Sequence, residues 1–258
     1  MTGNTPIAEA PVGAPAPDPR LGIFLRKLLS HSLLSAEDQR LLASVPFQLR
    51  RIEPNEYILR EGDPTHVCPI LLSGFVFRQK IAADGGRQIV MLKIPGDPLD
   101  FQSIYMRTAD HSIQAMTEVE LAMVPLPALE GLVIARPAIA RAVLVDILIE
   151  ASIGREWQLN LGRRHALERL AHFLCELVHR MQITQPELGD QLALPMTQEQ
   201  LADMLGLTPV HVNRTLRALD GMGLIARRGR RVHVADLPAL CRISGFSPTY
   251  LHRGNHGN

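Results

Sequence analysis

The stretch MTQEQLADMLGLTPVHVNRTLRAL, residues 196–219, combines the start signals of two short helices with a turn signal between them. Thr197 followed by Gln200 three residues later has capping-box spacing, in which the two side chains satisfy backbone N–H groups at a helix start. Gly206 can adopt the left-handed conformation that ends such a helix, and a second helix-start signal follows at once. The stretch therefore predicts a helix-turn-helix.

The second helix is expected to run from Pro209 to about Gly221, because the threonine before it is a good N-cap and proline suits the first helical position. One face forms a buried stripe of Val212, Leu216 and Leu219. The opposite face carries side chains suited to DNA. Those expected to contact base edges are Pro209, Val210, Asn213 and Arg214. Those expected to hold backbone phosphates are Thr197, Thr208, His211 and Arg217.

The segment LIARRGRRVHV, residues 224–234, predicts two strands joined by a tight turn at Gly229 and Arg230. A hairpin directly after a recognition helix is the wing of a winged helix. Four arginines surround its tip with no acidic residue between them, which favours phosphate contact over a merely solvated hairpin. The arginines expected to hold phosphate are Arg227, Arg228 and Arg230, with Arg231 beside them.

Basic and acidic residues are distributed unevenly, although the net charge of the chain is only +1. Residues 1–160 carry 15 basic and 18 acidic residues, whereas residues 161–258 carry 12 basic and 8 acidic residues. The positive charge is concentrated where the helix-turn-helix and the wing lie, as expected of a protein that binds double-stranded DNA. The alternative, an ordinary pair of bundle helices followed by a solvated hairpin, does not account for this concentration.

Three cysteines, Cys68, Cys175 and Cys241, are too widely separated for a disulfide framework or a CxxC metal pattern, which indicates reduced thiols. The sequence opens with no charged segment followed by an apolar one, and no uninterrupted run reaches about 18 apolar residues. We therefore expect a cytoplasmic protein that does not bind a membrane.

Short strand-like pieces alternate with Gly, Pro and Asp turns between Phe47 and Val124, which predicts a compact antiparallel β-roll and an α+β fold class. Candidate strands are Gln48–Ile52, Tyr57–Leu59, Pro69–Leu72, Phe75–Lys80, Gln88–Lys93, Ser112–Met116 and Glu120–Val124. The expected domain order is a disordered, Pro- and Ala-rich tail (1–19), the β-roll sensor domain (20–136), a dimerisation helix (137–162), the winged helix-turn-helix (163–245) and a C-terminal tail (246–258).

The long helix is expected to begin at Pro137 and to contact a second copy of itself. Small and apolar residues recur along it at alternating spacings of four and three, which is typical of a two-helix contact. These residues are Ala140, Leu144, Ile147, Ala151 and Gly154. Other apolar residues leave a second face for the helix's own domain, so we expect a homodimer rather than packing on that domain alone. Trp157 is expected to be an interface anchor or a packing residue at the hinge.

The order of β-roll, long helix and C-terminal winged helix resembles the Crp-Fnr superfamily of bacterial transcription regulators over roughly residues 21–240. The most specific matches are Glu61-Gly62-Asp63, Pro95-Gly96-Asp97, LGLTPVHVNRTLRAL (205–219) and GLI (223–225). The resemblance implies a homodimeric, cytoplasmic regulator whose β-roll biases two DNA-reading heads through the long helices. It also implies RNA polymerase as a further partner.

Two departures from that family concern the signal. Cyclic-nucleotide members hold the cyclic phosphate with an arginine in a loop that corresponds to residues 97–114, where this chain has Asp100 and Asp110 instead. Carboxylates there would repel a phosphate. Oxygen-sensing members commonly bind an iron–sulfur cluster through four thiolates, which three scattered cysteines do not reproduce. We expect neither cyclic AMP nor such a cluster, and no cofactor, while an unknown small-molecule effector stays open.

Three further interpretations were compared with a DNA-binding regulator. His66 and His111 could ligate haem or a metal in the β-roll, although a lone histidine is more often simply hydrogen-bonded. A metal-dependent β-sandwich enzyme would need closely spaced histidines, and residues 45–125 contain no H-x-H pair, so we expect no catalytic or metal-binding residues. A module that binds protein rather than DNA would not need the base-reading and phosphate-binding side chains on the outer face of the second helix.

The recognition helix departs from the family at its start. Family members read bases with an Arg-Glu pair and an arginine four residues after that Glu, and the matching positions here are Pro209, Val210 and Arg214, so that only the last is kept. Arg214 is expected to read guanine, and the apolar pair to face a thymine methyl. The expected operator is an inverted repeat with half-site centres about 10–10.5 bp apart.

Overall fold

The structure is a computed structural model that describes residues 16–188, 194–228 and 231–254. For three residues the structure describes only the backbone and not the side chain: Leu188, Arg228 and Arg231. The expectations for Arg230 and for the Arg228 and Arg231 side chains lie outside what is described, as do those for residues 1–15 and 255–258. Within the described ranges, no helix is long and apolar enough to cross a membrane.

Two short helices precede the strands, α1 (Gly22–Leu29) and α2 (Ala36–Ala43). The chain is already held in place before α1, because the Asp18 N–H donates to the Ala43 carbonyl at 2.7 Å and a 3-10 turn begins at Pro19. The predicted boundary of the tail at residue 19 is therefore too late, because a backbone hydrogen bond at Asp18 and the burial of Leu21 order the chain there.

The β-roll consists of β1 (Gln48–Ile52), β2 (Tyr57–Leu59), β3 (Val67–Ser73), β4 (Val76–Ile81), β5 (Arg87–Lys93), β6 (Ser112–Ala115) and β7 (Val119–Pro125). One sheet has the order β1-β7-β3 and the other β2-β6-β4-β5, with antiparallel pairing throughout. The turn between β3 and β4 requires Gly74, whose φ is +82° and whose added Cβ would lie 2.3 Å from the Glu118 carbonyl oxygen. The predicted antiparallel roll is confirmed.

Three helices lead from the β-roll to the winged helix: α3 (Leu126–Ala135), α4 (Pro137–Arg163) and α5 (Ala166–Thr184). Helix α4 buries one face, including Ile139 and Val143, against the β-roll domain. The helix direction changes at Arg164 and His165, both in extended conformation, and Glu168 accepts from the His165 N–H to start α5. This break, which we call the hinge, separates the long helix from the winged-helix domain.

The winged helix contains α6 (Gln198–Leu205), α7 (Pro209–Gly221), β8 (Ile225–Arg228), β9 (Arg231–Val234) and α8 (Leu237–Ser244). Helix α5 lies behind it and packs on both α7 and α8. Its core is continuous with the β-roll, because Phe77 and Leu92 of the roll belong to the same cluster of buried residues as Leu201 and Leu216. The winged helix is therefore packed directly against the β-roll.

The segment that follows α8, residues 246–254, folds back across α5, α4 and α1, and we call it the C-terminal strap. The Tyr250 hydroxyl donates to Glu176 Oε2 at 2.8 Å, and the Gly254 N–H donates to the Ser30 carbonyl at 3.1 Å. Residues 246–254 were expected to form a separate tail, and this expectation is wrong for them, because the strap's aromatic and apolar side chains pack in the core.

Candidate nucleic-acid interface

The caps of the helix-turn-helix form as the sequence predicts. Thr197 Oγ1 accepts from the Gln200 N–H at 3.1 Å, and Gln200 Oε1 accepts from the Thr197 N–H at 2.9 Å. Gly206 ends α6 with φ +61° and ψ +43°, and Thr208 Oγ1 accepts from the His211 N–H at 3.3 Å. Both threonine oxygens accept a hydrogen bond as caps, and the hydroxyl proton of each is still able to donate to a phosphate.

The outer face of α7 brings together the four residues predicted to read bases and one predicted to hold phosphate, Arg217. Pro209, Val210, Asn213, Arg214 and Arg217 line one open groove, and Val210 is 81% exposed. The opposite face of α7 is buried through the predicted stripe of Val212, Leu216 and Leu219.

Gln198 lies in the same groove, and the sequence analysis did not identify it. It is the first residue of α6, directly after the Thr197 cap. Its position could have been inferred from the capping box alone, because the residue after an N-cap projects from the exposed end of the helix, where anions are attracted.

The wing joins the recognition helix through one described arginine. Arg227 on β8 places Nη1 3.5 Å from Asn213 Oδ1, which is long for a hydrogen bond but brings the side chain beside α7. Strand β8 pairs with β9 in register from Ile225 opposite Val234 to Arg228 opposite Arg231. The two predicted strands of the wing therefore pair, and Arg227 on the first of them lies beside α7.

The predicted dimer contact of α4 is exposed or only half-buried in the isolated chain. Leu144 is 51% exposed and Ala151 is also exposed, while Ala140, Ile147 and Gly154 are half-buried. Two large residues on this exposed side were not predicted, namely Leu148, which is 55% exposed, and Leu159, which is 46% exposed. The structure thus leaves an apolar strip along α4 that its own domain does not cover.

Trp157 does not belong to that strip. It is only 6% exposed, its indole N–H donates to Glu176 Oε2 at 3.2 Å, and its ring packs edge-on against Phe173. Of the two roles predicted for it, an interface anchor is wrong, because the residue faces α5 rather than solvent. It is a packing residue that joins α4 to α5 beside the hinge.

A buried carboxylate connects the sensor domain to the DNA-binding domain. Asp97, in the Pro95-Gly96-Asp97 turn, accepts from Lys27 of α1 at 2.5 Å and from Arg180 of α5 at 2.9 Å. Burial by itself raises the pKa of Asp97, but Lys27 and Arg180 more than offset burial and hold that pKa below its usual range. Three elements distant in sequence thus meet at one charged group.

A second buried ionic cluster ties α4 to the inside of the β-roll. Glu150 on α4 accepts from Arg78 at 2.6 Å and also from Lys93. Arg78 Nε donates to the Leu99 carbonyl as well, at 3.0 Å. Burial and the positive charge of Arg78 lower the pKa of Lys93 to about 8, against the opposing effect of Glu150. The cationic side chains inside the roll are therefore already paired with groups of the same chain.

The loop of residues 97–114, where carboxylates are expected to repel a cyclic phosphate, carries Asp100 and Asp110 in different surroundings. Asp100 is buried and accepts from Ser103, whereas Asp110 is exposed and lies 2.6 Å from His111 Nδ1. Burial, with Arg78 nearby, lowers the pKa of His111. His66 is exposed, and the described residues contain no group of three His, Cys, Asp or Glu side chains that could hold a metal ion.

The helix-turn-helix also contacts the β-roll at its surface. Arg87 of β5 donates from Nε to Asp203 Oδ2 of α6 at 2.7 Å. Gln88 donates to the Met204 carbonyl at 3.2 Å. These bonds fix α6 against the β4–β5 hairpin, so the orientation of the neighbouring recognition helix depends on the sensor domain.

Two family models match the chain in the order in which the domains occur. Residues 49–135 match the cyclic nucleotide-binding domain, and residues 168–243 match the Crp-like helix-turn-helix domain. The second match ends before the C-terminal strap, which therefore lies outside that family model. The first match concerns the fold of the β-roll, whose interior contains the ionic cluster described above.

Curated proteins and solved structures give the same result over most of the chain. A nitrogen fixation regulation protein, FixK, from Azorhizobium caulinodans is 33% identical over 175 residues, which cover 67% of this chain and 70% of that protein. FixK from Rhizobium meliloti is 31% identical over 190 residues, covering 73% and 82%. The structure of FixK2 from Bradyrhizobium japonicum superposes with a TM-score of 0.71 at 25% identity, covering 79% of this chain and 100% of that one. The chain belongs to the Crp-Fnr family of DNA-binding transcription regulators.

Proposed function

We propose that the protein acts as a homodimer that binds an inverted-repeat DNA site with two copies of α7. The observation that carries this proposal is that two surfaces of the isolated chain are left uncovered. One is the groove of α7, and the other is the apolar strip of α4 that includes Leu144 and Leu148. A twofold contact along α4 would cover the strip and would present both recognition helices to one duplex.

Within each half-site, Arg214 donates to the O6 and N7 acceptors of a guanine, and Pro209 with Val210 packs against a thymine methyl. Asn213 is the remaining base-reading residue. The phosphates are held by Thr197, Thr208, His211, Arg217, Arg227, Arg228 and Arg230, and the position of Gln198 in the groove adds it to this set.

The signal in this proposal is neither a cyclic nucleotide nor an iron–sulfur cluster. Arg78 is already hydrogen-bonded to Glu150 and to the Leu99 carbonyl, so it is not an unpaired cation that could hold a cyclic phosphate. The buried carboxyl group of Asp100, next to Leu99 in the chain, adds a group that would repel the phosphate. Cys68 on β3 belongs to a different cluster of core residues from Cys175 on α5 and Cys241 on α8, and this separation does not suit an iron–sulfur cluster. A small molecule without a phosphate stays open as the effector.

The remaining assignments follow from the regulator role. We place the protein in the cytoplasm, with RNA polymerase as its partner at the promoter, no membrane partner and no catalytic activity. Two observations support these assignments: the relatives named above are regulatory proteins, and the groove of α7 is a surface for binding rather than for chemistry.

A gel shift against a pool of random-sequence DNA tests the proposal. The purified protein is expected to retard a minority of the pool, and the retarded fraction should become enriched in inverted repeats over successive rounds. Arg40→Ala, on the surface of α2, provides a variant with one basic residue fewer outside the groove and should behave as the parent protein does. Retardation without enrichment would show a non-specific binder and would contradict the proposal.

A further inference from the structure

Two cysteines that lie far apart in the sequence meet where α8 packs on α5. The Sγ atoms of Cys175 and Cys241 are 3.2 Å apart, and Ser244 Oγ lies 3.9 Å from Cys175 Sγ. All three cysteines of the chain are thiols in the structure, and Cys68 lies separately in β3.

We propose that Cys175 and Cys241 form a reversible intramolecular disulfide, which makes the α5–α8 contact a redox-modifiable site of the DNA-binding domain. A disulfide bond is about 2.05 Å long, so the sulfur atoms must approach each other by only about 1.2 Å. Side-chain rotation with a small shift of α8 would close this gap, because α5 and α8 already pack against each other.

The oxidant that fits the site is a small disulfide such as oxidised glutathione. The thiolate of Cys241, which is partly exposed, attacks one sulfur of the small disulfide and releases one thiol. Cys175 then attacks the Cys241 sulfur and releases the second thiol. Two protein thiols are oxidised to one disulfide, the small disulfide is reduced to two thiols, and these take up the two protons that the cysteines lose.

The surroundings set the order of these steps. Cys175 is fully buried, and burial raises the pKa of its thiol well above the usual range, so it reacts poorly with a reagent in solution. Cys241 is the accessible partner, and once it carries a mixed disulfide the second attack is intramolecular. The two cysteines therefore stay reduced under reducing conditions. The disulfide forms only when an oxidised small disulfide has first formed a mixed disulfide with Cys241.

The bond would enclose the part of the chain that reads DNA. The loop closed between residues 175 and 241 contains α6, α7 and the wing, and a cross-link over such a loop restrains the unfolded chain. The contact also lies where the strap begins, since the Phe246 N–H donates to the Cys241 carbonyl at 3.1 Å. Oxidation should thus make the domain harder to unfold, and it should leave the outer groove of α7 unchanged.

The test uses the full-length protein in glutathione buffers of defined redox ratio, followed by acid quenching, alkylation in denaturant and mass spectrometry. The expected result is the loss of two alkylatable thiols, a mass lower by about 2 Da before alkylation, and a peptide that links residues 175 and 241. Cys68→Ser should still form this link, and Cys241→Ser and Cys175→Ser should not. Cys241→Ser, at the partly exposed position, keeps the test decisive if the buried variant does not fold.

Two functional readings accompany the mass measurement. The oxidised protein should melt several degrees higher than the reduced protein, with the shift reversed by dithiothreitol and absent in Cys241→Ser. Its affinity for a selected DNA site should stay within about twofold of the reduced form. The proposal is overturned if both thiols remain alkylatable in the most oxidising buffer, if Cys241 stops at the mixed disulfide, if the linked pair includes Cys68 or a second chain, or if the melting temperature does not rise.

Discussion

Arg180 and Asp97 form a buried ion pair across the junction of the two domains, with Nη2 of the arginine 2.9 Å from Oδ2 of the aspartate. The arginine belongs to the helix behind the helix-turn-helix, and the aspartate belongs to a turn of the β-roll. Because Lys27 contacts the same carboxylate, the N-terminal helix is held at this point as well. The Asp97 carboxylate is therefore one of the groups that hold the DNA-binding domain against the β-roll, beside the shared core and the Arg87–Asp203 pair.

Arg180→Ala should destabilise the protein by about 3–5 kcal/mol, because the buried Glu176 loses its cationic partner and Asp97 keeps only Lys27. Urea unfolding at pH 7 measures this difference. The control is Arg51→Ala, whose pair with Glu120 lies on the surface and should be worth less than about 1 kcal/mol. Equal effects of the two variants would show that the junction is not held by this ion pair.

The stability should fall in mild acid because of His172. Burial, with Arg164 nearby, lowers the pKa of His172 to about 3, whereas an unfolded histidine titrates near 6.5. Below about pH 6.5 the unfolded chain takes up a proton that the folded chain does not, so this contribution to stability is lost as the pH falls from about 6.5 towards 3. Between pH 7.5 and 5.5 the loss from this group should be about 1 kcal/mol.

Unfolding of His172→Gln over the same pH range checks that assignment. The variant should be less dependent on pH by about 1 kcal/mol between pH 7.5 and 5.5, whatever its stability at neutral pH. His66→Gln replaces an exposed histidine and should keep the pH dependence of the parent protein. A parental pH dependence in His172→Gln would assign the acid sensitivity to other groups.

Leu148→Asp should weaken the dimer, because it places a carboxylate in the middle of the apolar strip of α4. Sedimentation velocity at micromolar concentration should show a shift from dimer towards monomer. Leu33→Asp is the matched control, since Leu33 is 71% exposed and lies between α1 and α2, away from that strip. If both variants sediment as the parent protein does, the strip is not the dimer contact.

Leu251→Ala should cost about 2–5 kcal/mol of stability, because the strap side chain is 4% exposed and its removal leaves a cavity beside α4 and α5. Met222→Ala, at a position that is 60% exposed after α7, should change the stability by less than about 0.5 kcal/mol. Thermal unfolding of both variants makes the comparison. A small effect at Leu251 would mean that the strap is a loosely attached tail after all.

The local elements were predictable because their signals lie within a few residues of one another. The capping box of Thr197 and Gln200, the left-handed Gly206 and the start at Pro209 place both helices of the helix-turn-helix at the observed positions. All seven strands of the β-roll appear within a residue or two of their predicted ends, since turns and alternating polarity are also local signals.

The junction could not be predicted in the same way. Asp97 meets Lys27 and Arg180, which are 70 and 83 residues away, and nothing in the sequence near any of them marks the meeting. Trp157 was misassigned in part for a related reason, because the pattern of α4 does not tell which face α5 covers. The C-terminal strap was missed because its anchors, such as Ser30, lie at the opposite end of the chain.

Binding-site selection from a random DNA pool, carried out in parallel on the parent protein, Arg214→Ala and Arg227→Ala, tests the reading of DNA by the groove of α7. The parent protein should select inverted repeats with half-site centres about 10–10.5 bp apart and one required G·C pair beside a T-rich position. Arg214→Ala should lose about 1–3 kcal/mol per half-site together with the preference at the guanine, whereas Arg227→Ala should weaken all sequences alike and lower the salt slope by roughly one unit. Retention by Arg214→Ala of the parental base preference at every position would contradict the assignment of this arginine to base recognition.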